Sequence, residues 1–500
     1  MSKKQIPIVV LLALIAAAEV MFAAWAFLPL IGVGEETVLP TRLTLYDGPS
    51  TISRSAYARV WVNGAELFVY DTPVNTAHVN KGDYDVSTLT PTPVTYFDFA
   101  DGAVEVEIEM YNADDIAQIS SAAVSPLSLG IAPAVSDRRV KFTITEAGQY
   151  TVQFNGSSKR ALHLFANPIE ENVPDRNDPN VIWIDPGEWI IEDGITLESG
   201  KTLYISGGAV VHTQIGASFA QNVTVRGRGI IDGSNWDTWM GSNAKVPIDF
   251  RYCKNVNVEG LIFLNSNAWV FNSFETENAI VDNVKLISAR PNGDGFTLQS
   301  CRNYIVRNGF ARTWDDTLVV KNYEGNTDGI IFRNMIVWTD LAQSMEIGYE
   351  TNKGKQENSV ISNVLFEDIT VINAFHKPVM SIHNSDDALV TDVVYRNITV
   401  ENAAMGLGDA ADNKQLIDLN IAGSGWSTTK TRGTIRNVSF ENINVLAATE
   451  KLTFRIVGYD DEHDIQNVSI KGLTLLGEKI ASADQLALTK RFMSGLTVEE

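Results

Sequence analysis

Short runs of alternating apolar and polar residues dominate the chain, and their arrangement changes near residue 170. Before that point the runs ARVWVNGAELFVY, VEVEIEMY and RRVKFTITEAGQYTVQF are rich in Val, Tyr, Phe and Thr. Turn signals such as NG, DG and AGQ interrupt them. Alternation with a period of two, broken by short turns, is typical of antiparallel strands, and the number of runs predicts a β-sandwich.

After a segment at 168–180 that is rich in Pro and Asp, the pattern becomes a repeat. Each unit is a short β run, an Asn or Gly corner and a second short β run. Units starting at Asn222, Asn255, Asn278 and Asn303 are separated by 33, 23 and 25 residues. A repeat of this length without helical segments predicts a solenoid, because a propeller blade of four strands needs about 40 residues or more. We therefore predict an all-β chain whose larger part is a right-handed parallel β-helix.

Two residue types support this repeat. The corner asparagines are expected to be structural, because Asn tolerates left-handed φ and bonds to neighbouring amides. Cys253 and Cys301 hold the same position in units that are two coils apart, so about 10 Å separates them. A disulfide needs Cα atoms within about 7 Å, and we expect both cysteines to be buried and unbridged.

The amino end carries Lys3 and Lys4 before an apolar run from Ile6 to Val33. This run is long enough to span a bilayer, and small residues within it also fit a signal-peptide cleavage site. We expect an uncleaved signal anchor or a cleaved signal peptide, with the body exported to the cell surface or beyond. The predicted organisation is a signal segment at 1–34, a sandwich domain at 35–170, a β-helix domain at 171–485 and a tail at 486–500. The sandwich is expected to cap the first coil, whose open edge would otherwise pair with other chains.

The net charge limits the kinds of molecule that the protein can be expected to bind. There are 61 acidic and 39 basic residues, which give a formal net charge of −22. Nucleic acid is excluded as a partner, because phosphate binding needs clustered Lys and Arg. The six histidines show no metal-ligand spacing, so we predict no metal or cofactor, and we expect a monomer.

Three aspartates stand at two successive strand entries. Asp294 lies in PNGDGFTLQS, and Asp315 and Asp316 lie in TWDDTLVV. If these are successive coils, Asp294 is expected to lie level with Asp315, with all three carboxylates a few Å apart. Clustered like charges raise the pKa of one carboxyl group and cost stability. A Ca²⁺ site or solvated corner residues are the structural alternatives, whereas glycoside hydrolysis uses a protonated carboxylic acid together with carboxylates that activate water.

With RGRGIIDGSNW at 226–236, NGDG at 292–295 and DD at 315–316, the chain resembles the polygalacturonases of glycoside hydrolase family 28. In that family Asn-Thr-Asp is followed about one coil later by Asp-Asp, and here Gly replaces Thr. The resemblance implies a β-helix hydrolase that inverts the anomeric centre. It makes Asp316 or Asp315 the general acid, and makes Asp294 with the other aspartate the activators of water. The family's Gly-His-Gly and Arg-Ile-Lys motifs are absent, and SMEIGYE and HKPVMSIHN stand near their places.

A second resemblance accounts better for the absence of those two motifs. The dextranase and isopullulanase family, family 49, has the same β-helix, the same acids and a sandwich in front. It carries an Ile-Gln-Met-Gly-Trp type strand where this chain has MEIGY at 345–349, and sandwich segments similar to SPLSLGIAP and LFANP. This resemblance implies a neutral α-glucan, so pectic and neutral substrates both stay open.

The predicted register places further side chains on the face that carries the acids. Aromatic rings there suit the apolar face of a pyranose, and Glu346, where polygalacturonases keep a histidine, suggests a sugar hydroxyl as its partner. Lys321, Lys377, Arg290 and Arg312 argue for a uronate, because they can receive carboxylates. The candidate substrate-binding residues are Asn292, Lys321, Glu346, Tyr349, Lys377, Trp269, Trp314 and His376.

The leading hypothesis is a secreted or membrane-anchored inverting hydrolase of a polysaccharide, polygalacturonase-like, with Asp316 donating the proton. Two other classes stay open. A pectate-lyase-like eliminase would use Ca²⁺ and a basic proton abstractor. A β-helix surface protein would bind glycan without turnover.

Overall fold

The computed structural model describes residues 41–76, 86–111, 118–236, 244–406 and 414–500. The predicted signal segment at 1–34 lies outside the described residues. Among the residues that are described, no helix has the length and apolar character needed to cross a membrane.

The first part of the chain forms two mainly antiparallel sheets. Val104–Met110 shows the alternation read from the sequence, with every second side chain buried between the sheets. The larger sheet contains Arg42–Leu45, Tyr70–Asn75, Leu89–Ala100, Ala122–Ser125, Gly148–Phe154 and Leu162–Pro168. The smaller sheet contains Ala58–Val62, Ala65–Glu66, Val104–Met110, Ala134–Ser136 and Arg139–Ile144. Short 3-10 turns cover Val86–Thr88 and Leu127–Leu129. These sheets form the predicted sandwich.

The rest of the chain winds through two long sheets of mainly parallel strands. The first contains Val181–Ile184, Gly187–Ile190, Thr202–Ile205, Ala209–His212, Gln221–Gly227, Ile230–Asp232, Lys254–Glu259, Ile262–Leu264, Glu277–Asp282, Lys285–Ile287, Arg302–Arg307, Phe310–Thr313, Thr327–Thr339, Val360–Ala374, Leu389–Val400, Thr434–Val445, Ile465–Lys471, Thr474–Leu475, Glu478–Lys479 and Met493–Glu499. The second, which we call the acid-bearing sheet, contains Ile195–Thr196, Ile215–Ser218, Ile248–Arg251, Phe271–Phe274, Phe296–Gln299, Leu318–Asn322, Met345–Thr351, Met380–Asn384, Gln415–Ile421, Thr453–Val457 and Leu488–Arg491. Each coil crosses both sheets, so the predicted parallel β-helix is confirmed.

Stacked identical corners hold the coils in register. Asn222, Asn255, Asn278 and Asn303 all have left-handed φ values between 51° and 57°. Their side-chain amides form a ladder, with Nδ2 to Oδ1 distances of 2.9, 3.4 and 3.2 Å between successive members. The structural role predicted for these asparagines is therefore confirmed. Cys253 and Cys301 are buried and unbridged, as the repeat predicts.

The sandwich packs against the side of the solenoid. Phe68, Tyr70 and Phe165 of the sandwich share one apolar cluster with solenoid residues that run from Val210 to Ala404. The sandwich was expected to cap the first coil, and its contact with the solenoid extends along many coils. The cause is the outward row of apolar residues on the second strand of each coil, which needs a cover.

The end of the chain belongs to the solenoid. Residues 486–500, expected to be a tail, contain Leu488–Arg491 and Met493–Glu499, and a 3-10 turn at Ala483–Gln485 precedes them. The two strands pair in parallel with Thr453–Val457 and Ile465–Lys471.

Candidate active site

Strand alternation sends one set of side chains from the acid-bearing sheet into the core and the other set outward. Leu318 and Val320 lie in the solenoid core, so Val319 and Lys321 face outward. Phe296 pairs with Leu318, which puts Asp294 level with Asp316 at the entry to these strands. The expected alignment of Asp294 with Asp315 is therefore wrong by one residue.

Asp315 occupies the corner that precedes the strand. Its Oδ2 accepts the backbone N–H of Asn292 at 2.8 Å, which bridges the two corners that carry the acids. Its Oδ1 accepts the N–H of Asp316 at 3.2 Å. Asn292 itself has a left-handed φ of 53°. The two motifs predicted from the sequence, NGDG and DD, are thus held together by a backbone contact.

Asp316 is a buried carboxyl group among other acids. Only 8% of the residue is exposed, and its Oδ1 accepts the N–H of Gln343 at 3.0 Å. Burial raises its pKa to about 7, and the charges of Asp315 and Glu346 act in the same direction. Asp316 is therefore able to keep a proton near neutral pH.

Lys321 balances the charge of Asp294. Its Nζ lies 3.6 Å from Asp294 Oδ2 and 3.1 Å from Glu350 Oε2, and it stands 5.1 Å from the centre of the Trp269 ring. Burial opposes the charge of Lys321, but Glu350 and Asp294 raise its pKa above the usual value. Lys321 is thus a fixed internal cation of the site.

A chain of charged groups runs along the outward row of the next coils. Glu346 accepts hydrogen bonds from Ser381 Oγ and, at 2.8 Å, from His383 Nδ1. His383 Nε2 lies 3.0 Å from Asp418, which Arg455 Nε contacts at 2.7 Å. Burial alone would lower the pKa of His383, but Glu346 and Asp418 raise it to about 10. The imidazole is therefore charged at neutral pH and is fixed between two carboxylates.

Tyr349 covers this histidine. The two rings are parallel, with centroids 4.4 Å apart, and the Tyr349 hydroxyl accepts a hydrogen bond from Gln343 Nε2 at 3.1 Å. Gln343 also donates its backbone N–H to Asp316. Tyr349 therefore links the charged chain to the aspartate pair.

The structure brings eight of the predicted site residues together. Asp294, Asp316, Lys321, Glu346 and Tyr349 are connected through the contacts above, and Asp315, Asn292 and Trp269 join them.

Four of the predicted ligand-binding residues are buried in the structure. Trp314 is completely buried, so the stacking of a sugar on its ring is excluded. Arg312 is fully buried and forms an ion pair with Asp340 at 3.0 Å. Arg290 is buried and donates to Asn265 at 3.2 Å, and His376 is 2% exposed. Lys377 remains half-buried beside Pro378, whose carbonyl accepts the N–H of Ser344.

Sequence reasoning missed Glu350, Gln343, His383, Asp418 and Arg455. A signal for the last two was present. On four successive strands one polar residue stands between two core residues, in Met345-Glu346-Ile347, Met380-Ser381-Ile382, Ile417-Asp418-Leu419 and Phe454-Arg455-Ile456. Aligning these strands predicts one outward polar row.

The described residues include no group of three or more His, Cys, Asp or Glu side chains arranged to hold a metal ion. What they do provide is a carboxyl group with a pKa near 7 level with a carboxylate that is paired with a lysine. Such a pair can deliver a proton on one side of a bond and activate water on the other.

Residues 188–489 match the family model of the glycosyl hydrolases family 28, and the chain belongs to that family. A probable endopolygalacturonase D of Neosartorya fischeri is 27% identical over 246 residues, which cover 44% of this chain and 49% of the relative. An exopolygalacturonase of Arabidopsis thaliana is 24% identical over 241 residues, which cover 46% of this chain and 53% of the relative. The chain spans about half the length of the curated relatives it matches.

Dex49A from Penicillium minioluteum has a similar structure, with a TM-score of 0.56 and 14% identity. The alignment covers 91% of this chain and 96% of that chain, so the shared fold includes both the sandwich and the solenoid. The two resemblances read from the sequence are both confirmed, one by family membership and the other by the fold.

Proposed function

We propose that the protein is an inverting glycoside hydrolase that cleaves O-glycosidic bonds of a polysaccharide. The observation that carries this proposal is the pairing of unlike carboxyl groups at one level of the sheet. Asp316 has a pKa of about 7, and Asp294 forms an ion pair with Lys321. Membership in family 28 supports the same reaction class.

In the proposed reaction Asp316 gives its proton to the glycosidic oxygen, and the leaving sugar departs with that proton. Asp294 and Asp315 accept hydrogen bonds from a water molecule on the opposite face of the ring, and one of them takes the proton of this water. The water oxygen bonds to the anomeric carbon as the glycosidic bond breaks, which inverts the configuration. Trp269 and Tyr349 offer ring surfaces beside these groups.

A pectic polymer is the first candidate substrate. Two curated relatives carry endopolygalacturonase and exopolygalacturonase in their names, and Lys377 is half-buried one coil beyond Glu346. In this version Lys377 receives a uronate carboxylate.

A neutral α-glucan is the second candidate, and the ion pairs favour it. Lys321 is committed to Asp294 and Glu350, and Arg312 is committed to Asp340. His383 and Arg455 are committed to Glu346 and Asp418. These cations neutralise the protein's own acids, so a uronate carboxylate would have to compete with those acids for them.

The experiment that tests the proposal is release of reducing ends by the full chain from polygalacturonate, dextran, pullulan and agar-type glycans. Asp316→Asn, Asp315→Asn and Asp294→Asn are compared with Asp328→Asn, a matched change on the opposite sheet. We expect a loss of about 10²–10⁴-fold in kcat for Asp316→Asn and none for Asp328→Asn. NMR of the first product identifies its anomer.

Unchanged turnover in Asp316→Asn would overturn the proposal, as would retention of anomeric configuration. If Asp315→Asn, and not Asp316→Asn, removes the alkaline limb of the pH profile, the two aspartates exchange roles. Activity on polygalacturonate alone supports the pectic version, and activity on a glucan alone supports the neutral one.

A further inference from the structure

A row of aromatic side chains follows one edge of the acid-bearing sheet towards the candidate active site. Phe219 and Tyr252 stack with centroids 4.7 Å apart and an angle of 4° between the rings. Phe274 lies 5.4 Å from Tyr252 and 6.0 Å from Tyr323. The Tyr323 hydroxyl contacts Glu350 at 3.3 Å, so the row ends at the charged groups of the site.

The outer members of this row are unusual in both exposure and backbone. Phe219 is 76% exposed and Tyr252 is 39% exposed. Their φ values are 54° and 53°, in the left-handed region that bulky residues rarely adopt. Neither burial nor an easy backbone explains large aromatic residues at these corners. Backbone strain of this kind is typical of functional positions.

A polar floor lies beside the aromatic row. Asn272 Nδ2 donates to Asp249 Oδ1 at 2.7 Å, and Gln299 Nε2 donates to Asn272 Oδ1. Gln299 stands between Phe274 and Lys321 in one outward column of the sheet. Four strand steps separate the strands that carry Phe219 and Lys321, a distance of about 19 Å. The floor and the row are therefore continuous with the catalytic groups.

The basic groups along this surface are paired with acids. Arg251 contacts Asp249 at 2.7 Å, and Arg302 contacts Glu275 at 3.4 Å. Nearer the site, Lys353 lies 3.8 Å from Glu350. What remains for a ligand is aromatic ring surface next to carboxylate groups. That combination suits a pyranose, which has an apolar C–H face and hydroxyl groups at its edge.

We propose that Phe219, Tyr252 and Phe274, which lie beside the buried amides of Asn272 and Gln299, form a glycan-binding track that holds several consecutive sugar units on the N-terminal side of the catalytic aspartates. Tyr252 covers one face of Phe219, and the other face of Phe219 receives the most distant sugar. The link to hydrolysis rests on the proposed function, whereas binding of the glycan can be measured without turnover. The occupant is a polysaccharide chain, since a single sugar would not need a surface of this length.

The test measures binding of polygalacturonate, dextran, pullulan and agar-type glycans to the full chain by affinity electrophoresis. Asp316→Asn serves as the background, so that turnover does not remove the ligand. Phe219→Ala with Tyr252→Ala is compared with Leu476→Ala. Leu476 is a matched control, because it is 55% exposed and has a φ of 53° at a corner of the other sheet.

We expect the double variant to bind its polymer at least about tenfold more weakly, which corresponds to about 1.4 kcal/mol. Leu476→Ala keeps the affinity of the background, and thermal melts confirm that all variants fold. Equal affinity in the double variant overturns the track, as does an equal loss in Leu476→Ala or the absence of binding to every polymer. The polymer that binds shows whether the sugars are uronates or neutral. If the binding test contradicts the track but hydrolysis still depends on Asp316, the proposed function is unaffected.

Discussion

Buried charges occupy two regions of this molecule, and the two regions differ in how the charges are arranged. Where the sandwich meets the solenoid, Arg228 contacts Asp98 at 2.9 Å and Arg312 contacts Asp340 at 3.0 Å. Each of these contacts joins opposite charges inside the protein. On the acid-bearing sheet the acids named above outnumber the cations, with Asp294, Asp315, Asp316, Glu346, Glu350 and Asp418 facing Lys321, His383 and Arg455.

The difference shows what burial of charge means in each place. The Arg228–Asp98 pair joins the solenoid to the sandwich, and each of its charges has an opposite partner. At the acid-bearing sheet, burial raises the pKa of Asp316 and the charges of neighbouring acids raise it further. The cluster of neighbouring acids therefore distinguishes the candidate active site from these interface pairs.

The largest expected effect is at the interface. Asp340→Ala leaves the guanidinium of Arg312 buried without its carboxylate partner. We expect the free energy of unfolding to fall by about 3–5 kcal/mol, as measured by urea denaturation. Arg312→Met combined with Asp340→Leu should recover part of the loss, because no unpaired charge is then buried. Unchanged stability in Asp340→Ala would show that this ion pair does not stabilise the folded protein.

The repeated part of the fold was predictable from the sequence because it is local. Alternating residues define the inward rows, and the Asn corners define where each coil turns. Asp294, Asp315 and Asp316 were found in the same way, as acids at strand entries. Their alignment could not be predicted in this way, because the length of each corner is set by contacts such as the one between Asp315 and the Asn292 amide.

Other parts of the site depend on contacts that no local pattern encodes. Trp314 and Arg312 looked available for a ligand, but burial in the folded chain closes both. Glu350 contacts Lys321 because the strand pairing is irregular at this point. The single residue Lys321 lies opposite three residues of the next strand, Gly348, Tyr349 and Glu350. A bulge of this kind changes which side chains face outward, so strict alternation could not place Glu350.

A second, smaller effect concerns stability and pH at the acid-bearing sheet. The folded pKa of Asp316, about 7, lies above the ordinary value of 3.8, so its contribution to stability is complete below pH 3.8 and is lost as pH rises to about 7. The Asp316→Asn variant does not lose stability in this way, because the Asn side chain does not titrate. Relative to the parent, we expect the unfolding free energy of the variant, measured by urea denaturation at each pH, to rise between pH 4 and pH 8. A difference that does not change with pH would contradict the raised pKa.

The smallest effect tests whether the charge of Glu346 acts on Asp316. Glu346 is one of the groups that raise the pKa of Asp316, and Gln can keep the contacts with Ser381 and His383. In Glu346→Gln the alkaline limb of kcat/KM should therefore move to lower pH by about one unit, since that limb reports the general acid of the free enzyme. The control is Glu401→Gln, which removes a carboxylate that bonds Ser125 at the interface. A shift of equal size in both variants would mean that the limb follows overall charge, and the distinction between the two regions would then fail.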